Sequence, residues 1–279
     1  GDLVWAAADQ RTRGFLLGAT AGRTTLEGEG LQHQDGQSPL YALAAPSLQV
    51  YDPGFAYELA VILEDGLRRM YARGEDVFYY LTIENENYPH PPMPEPRDRV
   101  KEGILKGLYL LRPGEGKGPR VQLWASGPLL PQALRAQELL LGYGVVAEVW
   151  SATSYKALYL DAIEAERERR LLGRARKPYV QEALEGHEGP VVAATDYLKA
   201  LPNLVRGYLD RPFCPLGTDG FGRSDTREAL RDFFEVDARH MAYAALALLV
   251  QEGKLEAGVL ERARADLGLK LEEVPPHGR

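Results

Sequence analysis

Val121-Gln122-Leu123-Trp124-Ala125 reads as a strand, and the alternation that it opens decides the fold. A helical pattern runs from about Pro131 to Leu141, Val145 to Val149 is a second strand, Tyr155 to Arg170 a charged helix, and Pro190 to Ala194 a third strand. Strands alternating with helices imply a mostly parallel sheet covered on both faces, an α/β architecture. Downstream, Ala200–Leu209, Thr226–Phe234, Ala238–Gln251 and Leu255–Leu267 read as helices. Upstream, Val100–Tyr109 reads as a helix.

Residues 85–98 hold Pro89, Pro91, Pro92, Pro94 and Pro96, a run that fits neither a helix nor a sheet interior. It predicts a boundary between residues 1–95 and 96–279. Tyr88, His90 and Met93 in it could anchor an ordered arm rather than a free linker. Before the boundary, Asp76–Ile83 and Leu48–Tyr51 read as strands, with a helix over residues 57–72 between them. Residues 1–15 read as the tail of a helix and 15–38 as loop, with a short helix possible over Pro39–Ala45.

That loop holds the chemistry. Gly22-Arg23-Thr24-Thr25-Leu26-Glu27-Gly28-Glu29-Gly30-Leu31-Gln32-His33-Gln34-Asp35-Gly36 brings one acid, Glu29, near one imidazole, His33, in a chain of five histidines. Glycines let a backbone approach a ligand, and a carboxylate beside an imidazole fixes its tautomer for proton transfer. A surface loop with a solvated histidine is the plain alternative. A second glycine loop, Gly217-Thr218-Asp219-Gly220-Phe221-Gly222-Arg223-Ser224-Asp225, precedes a helix that Ser224 or Asp225 could cap. Its two acids disfavour a phosphate, so it reads as a structural turn.

The net charge of −7 and the lack of a basic stripe argue against nucleic acid. A single cysteine, Cys214, excludes an internal disulfide and reads as buried and inert. No apolar run reaches the ~20 residues of a membrane span, and the first residues lack a basic leader, so a cytoplasmic protein is expected. His240 reads as a packing histidine, His187 as solvated and His277 as part of the tail. Glu64-Asp65-Gly66 with Asn85 and Asn87 superficially resembles a magnesium motif, but its spacing is short and Asp65 falls inside a helix.

The two glycine loops, together with Tyr51-Asp52-Pro53-Gly54-Phe55-Ala56-Tyr57-Glu58 and Glu84-Asn85-Glu86-Asn87-Tyr88, resemble the homodimeric dehydrogenase component of bacterial pyruvate dehydrogenase complexes. The resemblance covers nearly the whole chain but only the C-terminal part of that family. It implies the remainder of a pyrimidine-binding-type α/β domain followed by a transketolase C-terminal-like α/β domain with a mostly parallel sheet. It further implies decarboxylation of pyruvate on thiamine diphosphate with Mg2+, transfer of the acetyl group to the lipoyl domain of dihydrolipoyl acetyltransferase, and assembly with a second copy of the same subunit.

By the same resemblance, His33 faces pyruvate and Glu29 orients it, while most ligands of the cofactor and metal lie outside this chain. The chain alone is therefore expected to be inactive. Where the family commonly continues with further histidines, this chain has Gln37-Ser38-Pro39. Another transketolase-like thiamine enzyme and a non-catalytic dimerisation or docking module are the alternatives.

Overall fold

The computed structural model describes residues 1–19, 21–270 and 274–278. In chain order the strands are β1 Phe15–Ala19, β2 Leu48–Tyr51, β3 Phe78–Ile83, β4 Tyr109–Arg112, β5 Arg120–Ala125, β6 Val146–Ser151, β7 Val191–Ala194 and β8 Phe213–Leu216. The helices are α1 Asp2–Asp9, α2 Ser38–Tyr41, α3 Ala56–Leu67, α4 Arg97–Lys106, α5 Leu130–Leu141, α6 Tyr155–Leu172, α7 Tyr179–Glu182, α8 Ala200–Asn203, α9 Arg227–Phe233, α10 Ala238–Gln251 and α11 Gly258–Asp266.

Two sheets result. The first is parallel, in the order β1-β3-β2. The second runs β4-β6-β5-β7-β8 and is parallel except for β4, which pairs antiparallel with β6 at the edge. The period-2 pattern of strands explains how both faces of the second sheet are covered. Val121, Leu123 and Ala125 of β5, with Val192 and Ala194 of β7, join one apolar cluster with residues of α5 and α10. Trp124 of β5, with Val191 and Ala193, joins the other cluster with residues of α6 and α7. The first cluster continues through Tyr51, Phe55, Ile62, Met70 and Tyr79, so it runs into the three-stranded unit.

The proline-rich segment is an ordered arm. The Tyr88 hydroxyl donates to the Gly54 carbonyl at 2.6 Å, the Ala56 N–H donates to His90 Nδ1 at 3.0 Å, and Met93 packs on the core. Phe55 meets both Tyr88 and His90 edge to face.

Several readings need correction. Residues 15–19 form a strand rather than loop, with exposed Leu16 and Leu17 and Gly18 near its end hiding the signal. The 100–109 helix ends at Lys106, and Tyr109 opens the unforeseen β4. Phe213–Leu216 is a strand despite Pro215, because β8 lies at the sheet edge, where a missing N–H is tolerated. Ala200–Leu209 is broken into α8 and a 3-10 turn over Arg206–Tyr208. The 57–72 helix closes in a π turn over Arg68–Ala72.

Candidate functional site

The parallel strands of both sheets point their carboxyl ends toward a shared seam. Asp52 follows β2, Glu84 follows β3, Ser126 follows β5, Thr153 follows β6, Thr195 and Asp196 follow β7, and Thr218 follows β8. Backbone bonds close the seam: Asp52 N–H donates to the Thr153 carbonyl at 2.8 Å, and Gly127 N–H donates to the Asp52 carbonyl at 3.2 Å. In open α/β sheets, crevices beside the carboxyl ends of strands are the usual place for ligands. Here the loop of residues 21–37 lies there.

One buried carboxylate anchors that loop. Asp196 Oδ1 accepts from Thr24 N–H at 3.0 Å and from its hydroxyl at 2.7 Å. Asp196 Oδ2 accepts from Thr25 N–H at 3.3 Å and from its hydroxyl at 2.6 Å. Burial raises the Asp196 pKa, and the bonds from Thr25 and the charge of Arg231 oppose the rise. The fit leaves no room at Gly22, whose φ is +84° and where a Cβ would lie 2.2 Å from Asp196 Oδ2.

The second glycine loop is the bed of the first. Arg23 Nη1 donates to the Thr218 carbonyl at 2.6 Å and also bonds the Gly220 carbonyl. Gln34 Nε2 donates to the carbonyls of Leu26 and Arg223, each at 2.8 Å, while its Oε1 accepts from Arg223 N–H at 2.8 Å. Gly28 N–H donates to the Asp225 carbonyl at 3.0 Å. Arg227 donates to the Thr25 carbonyl and to Glu27, and Arg231 pairs with Glu86 and donates to Thr24 Oγ1. The structural-turn reading of residues 217–225 thus gains a definite task. The cap of α9, however, is Thr226, whose hydroxyl accepts from Ala229 N–H at 3.3 Å, rather than Ser224 or Asp225.

On this frame Glu29 and His33 meet. His33 Nδ1 lies 3.0 Å from Glu29 Oε2, and the two side chains are 58% and 52% exposed. Asp35 fixes the exit, accepting from the N–H groups of Gln37 and Ser38 at 2.9 Å each. A carboxylate on Nδ1 directs Nε2 outward, the arrangement in which an imidazole gives or takes a proton or hydrogen-bonds an oxyanion.

Beneath the loop the seam is acidic. Burial raises the Asp52 pKa to about 6, opposed by Thr82, whose hydroxyl donates to Asp52 Oδ1 at 2.6 Å, and reinforced by Asp196 and Glu58. Burial and then Asp52 and Asp196 push Glu84 well above the carboxylate range, with Thr25 opposing the rise.

Asp65 sits within α3, whereas exposed Asn85 and Asn87 lie after β3. Among the described residues, three potential metal ligands come within 4.8 Å of one another in the group Asp232, Asp237 and His240. Arg239 pairs with both acids of that group, and Asp237 caps α10, accepting from Arg239 and His240 N–H. His240 is buried as expected, 2.9 Å from Asp237. His187 is not solvated: its side chain is 20% exposed and lies 3.0 Å from the buried Glu148. Burial raises the Cys214 thiol pKa, in keeping with an inert residue.

Sequence reading missed Asp196, Arg23 and Gln34 as the builders of this site. Asp196 carried one signal, a polar Thr195-Asp196 pair directly after a buried apolar strand.

This architecture is that of the transketolase-like α/β proteins. Residues 107–237 match the transketolase-like TK C-terminal domain. The transketolase of Leishmania mexicana superposes with a TM-score of 0.65 at 18% identity, covering 91% of this chain and 33% of that one. Residues 1–91 match the pyruvate dehydrogenase E1 component middle domain. The pyruvate dehydrogenase E1 component of Cupriavidus necator is 50% identical over 260 residues, covering 91% of this chain and 29% of the relative. That of Escherichia coli K12 is 47% identical over 281 residues, covering 99% and 31%. The chain belongs to the pyruvate dehydrogenase E1 family and spans about 30% of the length of the curated relatives it matches.

Proposed function

We propose that this chain is the substrate-side and C-terminal part of a thiamine-diphosphate-dependent pyruvate dehydrogenase component. The whole subunit would decarboxylate pyruvate and pass the acetyl group to the lipoyl domain of dihydrolipoyl acetyltransferase. The observation that carries this reading is the Glu29–His33 couple, 3.0 Å apart and open to solvent, on a loop pinned by the buried Asp196.

The residues present do not fit the diphosphate and metal. Asp65 lies inside α3 while Asn85 and Asn87 are exposed after β3, and Arg239 already pairs with both acids of the Asp232–Asp237–His240 group. The work left to the chain is orientation and proton placement. With Glu29 holding Nδ1, His33 Nε2 would meet the substrate carboxylate or the oxygen of its keto group, where an oriented proton donor contributes roughly 10²–10⁴-fold in rate. The exposed Leu16 and Leu17 of edge strand β1, together with Leu3 and Trp5, favour burial against a second copy or another part of the same subunit.

The test is His33→Ala in the full-length subunit. Turnover of pyruvate should fall by about 10²-fold or more with subunit assembly unchanged. Unchanged turnover would leave the chain a docking or dimerisation module.

A further inference from the structure

Glu148 is an anomaly. It sits in the middle of strand β6 between Ala147 and Val149 and is 5% exposed. A buried carboxylate must be bonded or it destabilises the fold, and a four-residue relay supplies the bonds. Trp150 Nε1 donates to Gln122 Oε1 at 2.7 Å, Gln122 Nε2 donates to Glu148 Oε2 at 2.9 Å, and His187 Nδ1 lies 3.0 Å from the same oxygen. Gln122 Nε2 also donates to the Glu188 carbonyl at 2.7 Å. At the outer end of the relay, His187 Nε2 has no hydrogen bond or ion pair among the described residues.

That end borders a cavity of about 120 Å³. Its walls include Trp150, Tyr109 and Tyr179, with Arg99, Glu95 and His187 as its charged or titratable members. The Trp150 and His187 rings meet edge to face, 4.8 Å between centroids. Tyr109 and Tyr179 turn their hydroxyls away, to Glu58 and to the Leu108 carbonyl, and so line the cavity with their rings.

The charges around the cavity have a sign. Glu95 is paired with Arg97 at 2.9 Å, and Lys106, 4.8 Å over the Tyr179 ring, is paired with Glu102 at 2.7 Å. Arg99 has no ion-pair or hydrogen-bond partner among the described residues. An uncompensated guanidinium and an imidazole tied to a buried acid thus flank an aromatic slot.

We propose that this cavity binds a small planar organic anion, its ring between Trp150 and the tyrosines and its carboxylate between Arg99 and His187. The site lies on the β4–β6 edge and shares no residue with the Glu29–His33 loop.

The test is calorimetric titration of this chain with sodium benzoate. Benzylamine serves as the cation of equal size. Benzoate should bind saturably and benzylamine should not. Arg99→Ala, in the exposed first turn of α4, should weaken benzoate binding about tenfold or more, as loss of a hydrogen bond to a charged group does. His187→Ala should weaken it as much, and His33→Ala should leave it unchanged. No saturable benzoate binding, equal binding by Arg99→Ala, or benzylamine binding as tight as benzoate would overturn the proposal.

Discussion

The interior of the five-stranded sheet and the seam at its strand ends are buried alike but built from opposite materials. In the sheet, Val121, Leu123, Ala125, Val149 and Val191 to Ala194 are fully buried and apolar. At the seam, Thr24, Thr25, Asp52, Glu58, Ser126, Thr195, Asp196 and Thr218 are buried nearly as deeply and are all polar. The difference teaches where position comes from. Apolar burial is non-directional and tolerates repacking, whereas a buried carboxylate is held only by donors that reach it in the right geometry. The sheet makes the fold, and the seam sets where Glu29 and His33 stand.

The sharpest way to break this contrast is Asp196→Ala. It strands the N–H and hydroxyl donors of two threonines in a buried site, so a loss of about 3 kcal/mol is expected in urea denaturation. Val192→Ala, a conservative truncation in the sheet, should cost less, about 1–2 kcal/mol, by loss of buried methyl groups. An Asp196→Ala variant as stable as the native chain would show that the seam is not held by its carboxylate.

The second comparison is between two buried acids. Asp52 has its folded pKa raised to about 6 by burial, so folding favours its protonated form. Its contribution falls as pH rises from about 4 to about 6, by up to about 3 kcal/mol. Asp237 is also desolvated, but bonds from His240 and Arg239 outweigh that and lower its pKa to about 2. Its contribution is present above about pH 4 and lost as pH falls toward about 2. Denaturation of Asp52→Asn across pH 4–6 should be flatter than that of the native chain. A native profile no steeper than the variant's would show that the buried acids of the seam do not govern stability in this range.

The smallest effect separates two glycines of the site loop. Gly28 has φ +76° and Gly30 φ +75°, but a Cβ at Gly28 meets nothing within 4 Å, whereas at Gly30 it would lie 2.3 Å from Ser224 Oγ. Both alanine variants should lose about 1 kcal/mol to the left-handed backbone. Gly30→Ala should lose a few tenths more, because the serine side chain can turn away. Thermal melting of both variants measures the gap, and a larger loss at Gly28 would contradict the packing of the two glycine loops.

What could be read from the sequence divides along the same line. The apolar runs of β5, β6 and β7 and the stripe of α3 announce themselves because their period is local. β1, β4 and β8 are edge strands of four or five residues, partly exposed or interrupted by Gly18 or Pro215, and carry little pattern. Glu29 and His33 are neighbours in sequence and could be paired by eye. The partners of Thr24 and Thr25 stand 172 and 171 residues away, at the end of β7, and no local pattern reaches that far. His187 looked solvated between Gly186 and Glu188 because its acid, Glu148, lies 39 residues away on β6.

The central claim is that this chain carries the substrate side of the site and not the grip on the cofactor. Calorimetric titration of the chain with thiamine diphosphate and Mg2+ tests it most directly. No saturable heat is expected. Tight, saturable binding would contradict it and would mean that Asp65, or the seam pair Asp52 and Glu84, assembles a site with Asn85 and Asn87.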